Sequence, residues 1–156
     1  MNVGLTREEI EEVIHHLSIY VGFPKALQSF KRVKSLGLNY AGKKIDQNVE
    51  GQFNFFVQPE IRQALRDVHP DFAKIAGINA EALCARGGLT PLERALITLA
   101  SDVVQNVFDG PFQIHVRMVI QSSGSRGMIA EVLELISPIV PQNNIARAKG
   151  IFEGEK

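Results

Sequence analysis

Thr6-Arg7-Glu8-Glu9-Ile10-Glu11-Glu12-Val13-Ile14-His15-His16-Leu17-Ser18-Ile19-Tyr20-Val21-Gly22-Phe23-Pro24 decides the fold class. Thr6 is placed to accept from the amide of Glu9, and the Glu9 carboxylate to reach back to the amide of Thr6. That capping box satisfies two donors that a helix start otherwise leaves orphaned. Ile10, Val13, Ile14, Leu17 and Val21 recur at helical spacing and form one apolar stripe. Arg7, Glu8, Glu11, Glu12 and His15 fall mainly on other faces. Gly22 suits the turn that ends the helix, and Pro24 the first turn of the next one.

Working outward, the same chemistry recurs along the chain. Ala26, Leu27, Phe30 and Val33 share one side of a second helix that stops near Gly37. From Leu38 to Gln58 the pattern fails, and polar residues form a connector that either wraps the surface or separates residues 1–37 from residues 59–156. Phe53, Phe55 and Phe56 at its end are expected to dock on a core or a subunit contact. Pro59 opens a short helix through Val68, and Pro70 opens another through about Arg86. Thr90-Pro91-Leu92-Glu93 is a second start signal. The helix after it, to about Val107, is apolar nearly all round through Leu92, Leu96, Ile97, Leu99, Ala100, Val103, Val104 and Val107, which predicts the centre of a bundle. Phe112–Gln121, Arg126–Ser137 and Asn144–Phe152 complete the series. With no strand alternation or hairpin chemistry in any segment, the chain is predicted to be all-α and to form one domain.

The totals exclude several classes of function. Seventeen basic and seventeen acidic residues cancel, so no nucleic-acid or anionic-membrane partner is indicated. One cysteine, Cys84, rules out an internal disulfide and any Cys-x-x-Cys pair. No apolar run approaches the roughly 18–20 residues that span a bilayer, and no signal peptide is evident. The expectation is a soluble, cytoplasmic protein.

An internal echo links Thr6 to Ser125 at an offset of 119 residues. Thr6-Arg7, Ile10, Glu12-Val13-Ile14, Leu17-Ser18 and Val21 align with Ser125-Arg126, Ile129, Glu131-Val132-Leu133, Ile136-Ser137 and Val140. Part of the match is helix periodicity; the paired Arg and Glu-Val positions favour duplication.

Gly4-Leu5-Thr6-Arg7-Glu8-Glu9-Ile10-x-Glu12-Val13-Ile14-x-His16-Leu17-x-x-Tyr20-x-Gly22-Phe23-Pro24-x-Ala26-Leu27 closely resembles the C-terminal half of the carboxymuconolactone decarboxylase family. Leu89-Thr90-x-x-Glu93-Arg94-Ala95-Leu96-Ile97-Thr98-Leu99-Ala100 is similar to that family's N-terminal half, and Gln113-x-His115 to its histidine-bearing helix. The halves stand in reversed order, which fits a two-unit protein that lost its first half, a permuted protein, or a misplaced start. The resemblance implies an AhpD-like helical bundle that assembles into homo-oligomeric rings, trimers or hexamers, with no cofactor. It also implies cofactor-free decarboxylation of a small carboxylated lactone or enol acid as the activity, or a non-catalytic oligomeric member retained for binding or assembly.

His115 is the candidate catalytic group. It shares an apolar face with Phe112, Val116 and Val119. An imidazole there either moves a proton or is a structural histidine bonded in the core. Decarboxylation needs an oxyanion stabilised and a proton delivered, which assigns a cation, Arg94 or Arg117, beside it. The family's peroxidase branch carries two cysteines and a glutamate; Phe108, Pro111 and Ala95 stand at those places, so thiol chemistry has no nucleophile. His16, Tyr20 and Phe23 are the candidate pocket residues, against a packing role under the Gly-Phe-Pro turn. His15 and His16 point about 100° apart and make a poor metal pair, so no metal site is assigned. Glu12 is expected at an interface or in a buried ion pair. Ser123-Gly124-Ser125-Arg126-Gly127 follows no strand and is no nucleophile elbow.

Overall fold

The computed structural model describes residues 5–37 and 59–154. The connector at 38–58, with Phe53, Phe55 and Phe56, lies outside the described residues. Eight helices and no strand are found among the described residues: α1 Arg7–Val21, α2 Phe23–Ser35, α3 Pro59–Val68, α4 Pro70–Cys84, α5 Pro91–Gln105, α6 Pro111–Gln121, α7 Arg126–Ile136 and α8 Gln142–Gly154. The fold is all-α, as the spacing predicts.

Local chemistry accounts for most boundaries. At the start of α1 the Glu9 amide donates to Thr6 Oγ1 at 3.2 Å, and the Thr6 amide donates to Glu9 Oε2 at 2.7 Å. Gly22, at φ 84°, ends α1, and Pro24 lies in the first turn of α2. The end of α5 differs from the expected Val107. Asn106 adopts φ 59°, the Val107 amide donates to Asp102 O at 2.9 Å, and the Asn106 amide donates to Val103 O at 3.3 Å. This is a Schellman closure in which an asparagine takes the left-handed position. Ser123, at φ 66°, ends α6 in the same way, with Gly124 N–H donating to Val119 O at 2.9 Å.

The chain divides into two compact units, Met1–Pro91 and Leu92–Lys156. In the first, α1 packs on α2, α3 packs on α4, and α1 also packs on α4, so the N-terminal hairpin belongs with the helices that follow the connector. A bidentate ion pair binds α1 to the segment after α4: Arg86 donates from Nε and Nη2 to Glu12 Oε2 at 3.0 and 2.9 Å. Glu12 is 1% exposed, which resolves its expected role in favour of the buried ion pair. Large apolar side chains remain at the surface of this unit, among them Phe72, Ile75 and Ile78 on α4. Leu27, expected inward on α2, is also exposed.

The second unit has its own core, built from Ala95, Leu99 and Val103 of α5, Phe112, Val116 and Val119 of α6, Ile129 and Leu133 of α7, and Ile145, Ala148 and Phe152 of α8. Here α5 departs from the expected all-round apolar helix. Val104 and Val107 are exposed, while Arg94, Thr98, Ser101 and Asp102 are buried. Asn144 donates to Val103 O at 2.9 Å and ties α8 to the last turn of α5. The echo holds in its caps and fails in its acid. Ser125 accepts from the Met128 amide as Thr6 does from Glu9, and Ser18 and Ser137 each donate to the carbonyl three residues earlier. Glu131 is exposed where Glu12 is buried.

Candidate functional site

The site forms where α5 ends and α6 begins. Asp109, Gly110 and Pro111 restart the chain: Gly110 adopts φ 96° and its amide donates to Gln113 Oε1 at 3.1 Å, with Pro111 at the first position of α6. That start sets the phase of α6 and turns Phe112, His115, Val116 and Val119 into the interior. From the last turn of α5, Asp102 meets the imidazole: Asp102 Oδ2 lies 2.5 Å from His115 Nδ1, and both side chains are buried.

With Asp102 ionised, its carboxylate accepts from a proton on Nδ1, and Nε2 carries the lone pair of the neutral ring. Protonation at Nε2 gives an imidazolium whose charge Asp102 offsets. Burial pushes the Asp102 carboxyl above its ordinary value of 3.8, and the hydrogen bond and charge of His115 pull the other way. The pair can take up and release a proton with a fixed orientation, in a setting from which water is largely excluded.

Asp102 was not legible as a partner from local pattern, although its signal is present: an acid among Ser101, Val103 and Val104 in an apolar helix, thirteen residues before the histidine. Ala95, the place that the resemblance assigns to a glutamate, is fully buried in the core. Asp102 lies two turns further along the same face, because seven residues complete almost two turns. Phe108 and Pro111 have structural roles: Phe108 packs edge-on to Phe112 with centroids 5.4 Å apart, and Pro111 starts α6.

Arg94 is buried on α5, eight residues before Asp102 and so about 12 Å along the axis. Thr98 lies between them and donates to Arg94 O at 2.8 Å. Arg117 is exposed two residues after His115, and such a pair does not share a helix face. His16, Tyr20 and Phe23 belong to the first unit. His16 is buried with its ring 5.5 Å from that of Tyr20, whereas Phe23 is 69% exposed. His15 packs its ring against Phe30 at 4.7 Å. Partial burial, and then the Arg86 charge, push its pKa below 6.5, against opposing pulls from Glu12 and Glu11. Cys84 ends α4 in the first unit, apart in sequence from the His115 segment.

No three His, Cys, Asp or Glu side chains among the described residues are grouped so as to hold a metal ion. No helix among them is long and apolar enough to cross a membrane. No protein-family model matches the chain, and neither a curated protein nor a solved structure matches it.

Proposed function

We propose that the chain is a carboxymuconolactone decarboxylase-like enzyme, cofactor-free and cytoplasmic, acting on a small carboxylated lactone or enol acid. The observation that carries this reading is the buried Asp102–His115 pair, together with the motif resemblance around Glu93–Ala100 and Gln113–His115. When the substrate carboxylate leaves as carbon dioxide, its bonding electrons pass into an enolate conjugated with the lactone carbonyl. The imidazolium of His115 delivers its Nε2 proton to the carbon that carried the carboxylate, and a solvent proton restores it. Asp102 is the positioning residue, holding the ring and offsetting the imidazolium charge. Of the two arginines, Arg94 is buried and Arg117 exposed; a buried cation stabilises developing charge more, and Arg94 would reach the enolate oxygen from about two turns before Asp102 on α5.

The test is turnover of a panel of small lactone acids by the full chain and by His115→Ala. Loss of about 10²–10⁴-fold in rate on replacing the proton donor is expected. Unchanged turnover in the variant, or none by the wild-type chain on any lactone acid, overturns the reading.

A second reading rests on the apolar residues at the surface of the first unit, Phe72, Ile75 and Ile78. Contiguous exposed apolar surface marks association sites, which supports a homo-oligomer, trimer or hexamer, retained for binding or assembly without catalysis. Light scattering on the full chain decides: a trimer or hexamer supports it and a monomer sinks it.

A further inference from the structure

The hairpin of α3 and α4 contains a cleft of about 230 Å³, lined by Arg62 and Arg66 on α3 and by Pro70, Ala73, Lys74, Gly77, Ile78 and Glu81 on α4. Arg62 and Arg66 are one helical turn apart, and like charges at that spacing repel. The α4 lining residues recur at three- and four-residue intervals, so they form one continuous face. At Ala73 and Gly77 the floor is small; a Cβ added to Gly77 would meet nothing within 4 Å. One end is closed by Arg62, whose Nη2 donates to Glu81 Oε1 at 2.9 Å. Arg66 and Lys74 flank the other end and make no hydrogen bond or ion pair among the described residues. The neighbouring acid Asp67 is engaged by Gln63 at 2.7 Å and does not line the cleft.

Three cations and one carboxylate leave the cleft with two uncompensated positive charges, both at the Arg66–Lys74 end. Arg66 and Lys74 are both exposed; an anion that accepts from both groups offsets their like charge, and an arginine beside a lysine suits oxygen anions. Pro70, Ala73 and Ile78 offer a short apolar wall, and the volume limits the body to a few carbon atoms. We propose that this cleft is a binding site for a small oxygen dianion, a phosphate monoester or a short dicarboxylate, held by Arg66 and Lys74, with Glu81 restraining Arg62.

The experiment is an amide NMR titration of the full chain with inorganic phosphate and, separately, with succinate, at constant ionic strength set by chloride. Saturable shifts confined to α3 and α4 are expected, and which of the two probes saturates identifies the source of the dianion. The double substitution Arg66→Gln, Lys74→Gln, at exposed positions, is expected to weaken binding by about tenfold or more. Glu81→Gln is expected to tighten it, because the one carboxylate of the lining is then neutral. Shifts that fail to saturate with either probe, or affinities unaltered in the double variant, overturn the proposal.

Discussion

Glu12 and Arg86 lie seventy-four positions apart in sequence and meet as a bidentate ion pair, with two contacts to Glu12 Oε2 at 2.9 and 3.0 Å and a third to Oε1 at 3.2 Å. Glu12 is almost fully buried and Arg86 is 24% exposed in its side chain. The pair fastens the first helix of the chain to the segment that follows the fourth.

Removing one partner takes a close counter-charge from the other. Glu12→Gln is expected to cost about 3 kcal/mol, since it removes the carboxylate charge that the partly buried Arg86 guanidinium meets at 2.9 Å. Arg86→Met is expected to cost a similar amount. The double variant should lose less than the two singles together, by about 1–3 kcal/mol, as directly paired groups do. Urea unfolding of the four proteins measures this, and strict additivity would remove the ion pair as the link.

At the other pair the sign of a pH effect is the test. Burial raises the Asp102 pKa above 3.8, so the folded state holds the Asp102 proton more tightly than the unfolded chain. Stability from that group is therefore fully present below 3.8 and is lost as pH rises through the folded-state value. Relative to Asp102→Asn, the wild-type chain is expected to lose stability as pH climbs from below 3.8 toward neutrality. Denaturant midpoints of both proteins across that range give the difference, with the other carboxylates cancelling. A wild-type advantage that grows with pH instead would mean that His115 overcomes the burial of the carboxylate.

Gly124 and Gly150 provide a matched contrast. A Cβ at Gly124 would lie 2.6 Å from Leu92 Cδ1 and from Val119 Cγ1, and 2.7 Å from Val119 O. Gly124→Ala is expected to destabilise by about 1–3 kcal/mol through overpacking against backbone that cannot move away. At Gly150, inside α8, an added Cβ meets nothing within 4 Å. Gly150→Ala is expected to stabilise by about 0.5–1 kcal/mol, because the glycine costs backbone entropy in a helix. Thermal melts of the two variants should move in opposite directions.

Features governed by neighbours in the chain could be read from the residues alone. Thr6 with Glu9, Gly22 with Pro24, and Asp109-Gly110-Pro111 each carry a start or stop within a few residues, so the helices were legible to within one or two positions. The inward face of α6, with His115 on it, follows from i, i+4 spacing alone. The burial of Glu12 was legible too, as one of two alternatives, since an acid beside an apolar stripe needs a partner. Which groups become partners depends on how the helices pack. Arg86 reaches Glu12, Asp102 reaches His115, and Asn144 reaches the Val103 carbonyl, because packing brings separate helices to hydrogen-bonding distance. The polar arc of α5 was hidden for the same reason: a charge in an apolar helix has no local cue to its side. The end of α5 falls two residues before the expected Val107, because an asparagine in the left-handed conformation is indistinguishable in sequence from one in a helix. Local chemistry specifies elements; the energetic cost of a buried charge or an unpaired donor is settled only when the helices meet.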